Sequence, residues 1–391
     1  VNKALICAAK RTAVGSFQGT LSQTSVCELG SHVIRAVLGQ AAVPADSIDE
    51  VILGCILTAG VGQAPARQAA LGAELPNTVQ ALTINKVCSS GLKAVMLAAD
   101  SIAIGHAQAI IAGGMENMSA APYLAPKMRS GARLGHSELL DSIIVDSLWD
   151  VYNDFHMGNA GELCAGKYKF SREAQDAFAN NSYRKAKEAI AAGHFDKEIV
   201  GIEVKLGRDK VKFSVDEGPA KSNPEKMAKL RPAFAKDGTV TAGNASPLSD
   251  GAAALLVCSE DYASKHNLKP LAQITSQGWA GQEPEWFTTA PISALQLALA
   301  NASLSIEDID LFEINEAFSV VAMACASELK ISEEKLNISG GAVALGHPLG
   351  ASGAKILCTL LYNLERTDSK YGAVGICNGG GEATALIVER V

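Results

Sequence analysis

The sequence predicts a layered α/β fold assembled from two similar halves, and three observations carry that reading. Glycine is abundant, 36 of 391 residues, while aromatic residues make up only 5%. Small residues on that scale let helix and sheet backbones approach closely. Short apolar runs alternate with alanine-rich stretches of helical character, the rhythm of strand, helix, strand. The rhythm returns: Val51, Ser90-Gly91 and Glu116 find counterparts in Leu311, Ser352-Gly353 and Glu382, at spacings of 260, 262 and 266. Near-constant spacing argues for an internal duplication, with chance matching among Gly and Ala as the alternative. Right-handed crossovers in two such copies would stack them face to face in five layers, α/β/α/β/α.

The elements follow in chain order. Residues 4–9 read as an apolar strand and 51–53 as a second. A helix over 91–104 leads into a strand over 109–112 that ends in Gly113-Gly114. Residues 119–247 are richer in charge, Pro and Gly and read as an inserted, loop-rich domain. One clear helix lies inside it, opened by the capping residue Ser171 and stopped at Ala192 before Gly193. Strand 308–313, helix 352–364 and strand 373–377 then repeat the earlier order. This divides the chain into a first half, 1–118 completed by 248–268, the insertion 119–247, and a second half, 269–391.

Composition excludes several functions. Lys and Arg number 34 against 41 Asp and Glu, a net charge of −7 with no basic patch to hold a nucleic-acid backbone. No apolar run approaches the roughly 18 residues that span a bilayer. The nine cysteines, at 7, 27, 55, 88, 164, 258, 325, 358 and 377, contain no CxxC pair and read as reduced thiols. A cytoplasmic protein is expected, with the mitochondrial matrix, after loss of a transit peptide, as the alternative. The terminal Glu389-Arg390-Val391 is no peroxisomal address.

Four segments could carry chemistry. In Asn85-Lys86-Val87-Cys88-Ser89-Ser90-Gly91 a cysteine stands at a helix start, where the dipole favours a thiolate; a small buried core residue is the plainer reading. In Gly346-His347-Pro348-Leu349-Gly350 a histidine is fixed between glycines and a proline, poised to act as a base or merely to cap a helix. By the duplication spacing His347 falls near the counterpart of Cys88, which would bring the two together. In Cys377-Asn378-Gly379-Gly380-Gly381 a strand ends in a cysteine followed by glycines whose N–H groups could bind an oxyanion, or simply turn the chain. Asn315-Glu316-Ala317-Phe318-Ser319 follows a strand, where catalytic side chains often sit in α/β folds; a helix cap by Asn315 is the alternative.

Together these segments, in this order from first strand to C-terminus, resemble the thiolase superfamily. His156-Met157-Gly158 and Arg231-Pro232-Ala233-Phe234 are most similar to its short-chain branch, the acetoacetyl-CoA thiolases. The resemblance implies two βαβαβαββ halves and a reversible, ping-pong Claisen condensation of two acetyl-CoA. Cys88 would be the nucleophile and His347 its base. The N–H groups of Cys88 and Gly379 would form one oxyanion hole, and His347 with a water on Asn315 the other. Cys377 would be the acid/base at the α-carbon.

The resemblance further implies CoA contacts from Leu148, His156, Met157, Lys221, Phe234, Ala242, Gly243, Ser246, Ala317 and Phe318. It implies a potassium site from Tyr183, Ala242, Gly243, Ala245 and Val343. No tightly bound cofactor is implied, and a homotetramer is expected, with residues 127–136 joining dimers. Glu382-Ala383 departs from the common pattern; Glu382 could raise the pKa of Cys377, face solvent or meet a lysine. A broad-range 3-ketoacyl-CoA thiolase of fatty-acid breakdown and a non-catalytic acyl-CoA or lipid-binding relative are the alternatives. A decarboxylating condensing enzyme would carry a second His where Cys377 stands.

Overall fold

The computed structural model describes residues 2–391. In the first half, strands β1 (Ala4–Arg11), β2 (Glu50–Gly54), β3 (Gln80–Ile84) and β4 (Ala109–Asn117) alternate with helices α1 (Val26–Ala41), α2 (Pro65–Gly72) and α3 (Ser90–Ala103). The insertion contributes α4 (Met157–Tyr168), α5 (Arg172–Ala191) and a hairpin of β5 (Ile202–Leu206) and β6 (Asp209–Phe213). Strand β7 (Ser249–Ser259) then returns to the first sheet, antiparallel between β1 and β4. The second half runs β8 (Ala272–Gly281), α6 (Ala290–Ala302), β9 (Leu311–Ile314), α7 (Ser319–Leu329), α8 (Leu349–Arg366), β10 (Tyr371–Asn378) and β11 (Glu382–Arg390).

The duplication is a fact of the topology. The first sheet runs β1-β7-β4-β2-β3 and the second β8-β11-β10-β9. The place of β3 in the second copy is marked by one parallel bridge, Phe312 to Leu336. The two sheets are joined at their edges: β1 and β8 pair antiparallel at Leu5–Gln273 and Ile6–Ala272, making one continuous path. Each is the edge strand of its own half, and pairing satisfies N–H and C=O groups that an open edge would leave exposed.

Five layers follow from which residues share a core. Val33, Ile34, Leu53, Ile111 and Leu256 pack α1 and α2 on one face of the first sheet. Ile110 and Leu255, one residue along each strand, point the other way and join Leu92, Met96, Leu357, Leu361, Val374 and Leu386 in the middle layer. Leu295, Phe312, Cys325 and Ile387 seal α6 and α7 on the far face. Strands covered on both faces read as unbroken apolar runs, as residues 109–115 do. In the middle layer α3 and α8 meet backbone to backbone. A Cβ on Gly91 would lie 2.8 Å from Gly350 O, and one on Gly353 2.5 Å from Leu92 N.

Pairing registers correct one expected equivalence. Gly54 pairs with Gly114 and Ile314 with Gly375, and two residues further on stand Glu116 and Cys377, each followed by an asparagine. The counterpart of Glu116 is therefore Cys377; Glu382 instead opens β11. Ser171 caps α5 by accepting from Ala174 N, and Gly193 turns the chain at φ +70°. A second helix of the insertion, α4, was not legible because Gly158, Gly161 and Gly166 weaken its helical signal.

Candidate active site

Cys88 sits on a strained turn between β3 and α3. Val87 has φ +46°, an outlier for a β-branched residue. Its surroundings hold it there: Ser90 Oγ donates to Val87 O (2.7 Å) and accepts from Lys86 N (2.7 Å), and Asn85 Oδ1 accepts from Val87 N (2.9 Å). Ser89 Oγ donates to Ile376 O across the halves, at 3.2 Å. Lys86 Nζ lies 2.6 Å from Glu382 Oε2. The departure at Glu382 thus resolves as a lysine pair, and Glu382 is not among the groups that shift Cys377.

The helix-start expectation for the thiol needs correction. Burial pushes Cys88 up to about 12, outweighing the Gly379 N–H and its own N–H, which favour the thiolate; the nearby Glu116 charge adds to the rise. A helix terminus is worth at most about 2 kcal/mol, less than the cost of a buried, unpaired charge.

His347 is held from three sides. Gly346, at φ +100°, turns the chain into it, and the His347 backbone N–H donates to Ser249 Oγ at 3.1 Å. Nδ1 lies 2.6 Å from Ser352 Oγ, whose own proton goes to Pro348 O at 2.9 Å. With that hydroxyl hydrogen committed, Nδ1 carries the imidazole proton and Nε2 presents a lone pair. Asn315 Nδ2 lies 3.5 Å from Nε2. Burial, then the Lys355 charge, pushes His347 down to about 3.

Asn315 does not cap α7: the cap residue is Phe318, without a side-chain bond. Asn315 Oδ1 is buried and has no protein partner. Cys377 is fully buried near the end of β10, pushed well above the ordinary thiol range by burial and then by Cys88.

A cavity of about 390 Å³ opens over this group, bordered by Cys88, His347 and Gly379. Asn315 and Cys377 are not among its bordering residues. Of the expected CoA contacts, Leu148, His156, Met157, Phe234, Ala242, Ser246, Ala317 and Phe318 line it, whereas Gly243 and the surface residue Lys221 do not. His156 stacks on Phe234 at 4.8 Å, and Phe234 meets Phe318 edge-on at 6.1 Å. Ser246 Oγ donates to Ala317 O at 2.9 Å, so it can serve a ligand only as an acceptor. Ile144, Ser147, Pro247, Leu248, Phe287 and Leu349 complete the walls. Leu349 lies inside a segment singled out from sequence, and Ser147, Pro247 and Leu248 lie within two residues of Leu148 or Ser246; Ile144 and Phe287 carry no local signal.

The five residues expected to hold potassium fall beside the cavity. Val343 and Tyr183 pack with Met227, and a Cβ on Gly243 would lie 2.8 Å from Met227 Cγ. Ala242 and Ala245 border the cavity itself. The carbonyls of Ala242, Gly243 and Ala245 accept no hydrogen bond among the described residues, a donor set that fits a weakly hydrated cation.

Residues 4–261 match the model of the thiolase N-terminal domain and residues 268–390 that of the thiolase C-terminal domain. The fold and site define a thiolase, and the chain belongs to that family. Its curated relatives include acetyl-CoA acetyltransferase 2 of Arabidopsis thaliana, 51% identical over 97% of this chain and 95% of that protein. They also include the acetyl-CoA acetyltransferase of Pseudomonas aeruginosa, 51% identical over 99% of both, and the cytosolic one of Rattus norvegicus, 50% identical over 99% and 98%. Among solved structures, the Bacillus anthracis acetyl-CoA acetyltransferase superposes with a TM-score of 0.97 at 40% identity, covering 100% of this chain and 99% of that one.

Proposed function

We propose that the protein is an acetyl-CoA C-acetyltransferase, condensing two acetyl-CoA to acetoacetyl-CoA and CoA, reversibly, through an acetyl-Cys88 intermediate. The observation that carries this is the meeting of Cys88, His347 and the Gly379 backbone at one apolar cavity. His347 Nε2 takes the thiol proton as Cys88 Sγ attacks the thioester carbonyl. The oxyanion is held by the N–H groups of Cys88 and Gly379. Collapse expels the CoA thiolate, which takes the proton of Cys377, leaving acetyl-Cys88, a Cys377 thiolate and a His347 imidazolium.

The second acetyl-CoA loses an α-proton to Cys377, and its enolate oxygen is stabilised by His347 Nε2–H and the Asn315 side. The α-carbon attacks acetyl-Cys88; acetoacetyl-CoA leaves, and His347 returns its proton to the Cys88 thiolate. The balance is two acetyl-CoA to acetoacetyl-CoA and CoA, with the enzyme restored.

Leu148, His156, Met157, Phe234, Ala242, Ser246, Ala317 and Phe318 form the apolar groove for pantetheine and the short acyl group, supported by their place on the cavity wall. Gly243 lies behind that wall, and Lys221 remains a surface contact for a phosphate. Potassium, held by Tyr183 and the carbonyls of Ala242, Gly243, Ala245 and Val343, would fix the Ala242–Ser246 wall. Equal activity in potassium and sodium would remove it. Two further expectations stand as proposals: a homotetramer, supported by exposed Met128, Leu134 and Leu139, and the cytosol, as for the rat and mouse relatives. So does the division into 1–118 with 248–268, 119–247 and 269–391.

The test is CoA-dependent cleavage of acetoacetyl-CoA beside a longer 3-ketoacyl-CoA, with Cys88→Ala as control. Strong preference for the four-carbon substrate is expected. Comparable rates would favour a broad-range degradative thiolase, and activity independent of Cys88 would end the proposal.

A further inference from the structure

The two halves are not used equally. Register makes Cys377 and Glu116 counterparts, and the SSGLK and ASGAK segments that open α3 and α8 make Cys88 and Gly350 counterparts. Where Cys88 of the first half and Cys377 of the second are both thiols, their counterparts, Gly350 of the second half and Glu116 of the first, set a glycine N–H against a carboxylate: Gly350 N donates to Glu116 Oε2 at 2.8 Å. The same carboxylate accepts from Ile56 N at 3.3 Å and Leu57 N at 3.1 Å. A Cβ on Gly350 would lie 2.9 Å from Oε2, so the missing side chain makes room for the carboxylate.

Gly350 lies in the first turn of α8, three residues after His347, and Leu349 between them lines the cavity. Glu116 therefore pins the segment that carries the base to the end of β4 and to the loop after β2. It is fully buried, and among the described residues no cation forms an ion pair with it. The titratable groups that face it are Asp250 on β7, Cys55 after β2 and Cys88 ahead of α3. Resting on the function proposed above, we infer that Glu116 is a positioning residue for acyl transfer. Its carboxylate clamps the start of α8, aligns His347 with Cys88, and lets go when it takes up a proton.

Protonation turns one acceptor oxygen into a hydroxyl and weakens the charge-assisted bonds to Gly350, Ile56 and Leu57. Burial, opposed by those three N–H bonds and reinforced by Asp250, raises Glu116 to about 7. The clamp thus opens on the acid side of neutrality, where His347 and Cys88 do not titrate.

The experiment is the pH dependence of kcat and KM for acetoacetyl-CoA cleavage by wild type, Glu116→Gln and Asp250→Asn. Wild type is expected to lose kcat on acidification with a midpoint near pH 7, KM hardly moving. Glu116→Gln, permanently neutral, should show at about pH 8 a kcat some 10- to 100-fold low, the size of loss that small misalignments cause, and no change through pH 7. Asp250→Asn should keep the acid limb but move it to lower pH. A wild-type kcat flat through pH 7, or a Glu116→Gln enzyme with wild-type kcat and an unmoved limb, overturns the inference. If Glu116→Gln does not fold, the wild-type limb and its shift in Asp250→Asn still decide. A wild type without Cys88-dependent cleavage at any pH overturns instead the function proposed above.

Discussion

His347 Nδ1 and Ser352 Oγ are 2.6 Å apart, with the serine proton committed to Pro348 O, so a single hydroxyl fixes which imidazole nitrogen is free. Ser352→Ala removes the acceptor and frees the ring to rotate and change tautomer. A loss in kcat of about 10- to 100-fold with little change in KM is expected. Steady-state kinetics measure it; a matched rise in KM alone would mean that the serine serves binding.

The raised Cys88 thiol predicts slow alkylation. Because its pKa is about 12, the thiolate fraction of the free enzyme stays small at neutral pH and keeps growing beyond pH 9. Iodoacetamide labelling rates against pH should rise without a plateau through that range. A plateau below about pH 8 would show the helix start winning over burial.

Gly158 shapes the proposed acyl pocket through Phe234. A Cβ there would sit 2.3 Å from the Phe234 ring, so Gly158→Ala must displace the ring from its stack on His156. KM for acetyl-CoA is expected to rise several-fold while Cys88 labelling stays as in wild type. Unchanged KM would place the acyl group elsewhere.

Arg11 is the strongest stability test in the first half. Fully buried, it meets Glu198 at 2.6 Å and both Asp216 oxygens at 2.8 and 3.0 Å, with Phe195 beneath its guanidinium. Arg11→Ala strands two buried carboxylates and should cost about 3–5 kcal/mol in denaturant unfolding. A loss below about 1 kcal/mol would show that the carboxylates find other partners.

Glu116 also predicts a pH-dependent stability. The folded protein holds its proton up to about pH 7, the unfolded chain only to about 4.3, so stability from this group is full below that window and lost as pH rises through it. At about pH 8 the ionised, buried carboxyl costs up to about 3 kcal/mol. Glu116→Gln should therefore gain stability relative to wild type between about pH 5 and pH 8, as unfolding at both pH values would show. A constant difference would contradict the raised pKa.

The proposed reacting groups were legible because each lies in a short segment with its own local logic. Cys88 stands ahead of a helix, His347 between Gly346 and Pro348, and Gly379 in a glycine run after a strand. The walls were less legible. Ile144 and Phe287 reach the cavity from segments without a signal of their own, and α4 carries glycines that hide its helical character.

By itself the sequence determined the layered α/β class and the duplication and pointed to the proposed reacting side chains, because alternation, glycine placement and spacing are properties of neighbours in the chain. Tertiary structure decided the charges. Burial set the Cys88 thiol up and the His347 imidazole down, Glu382 found its partner in Lys86, and strand register made Glu116 the counterpart of Cys377. Desolvation depends on everything packed around a group, and that packing exists only once both halves have closed on each other.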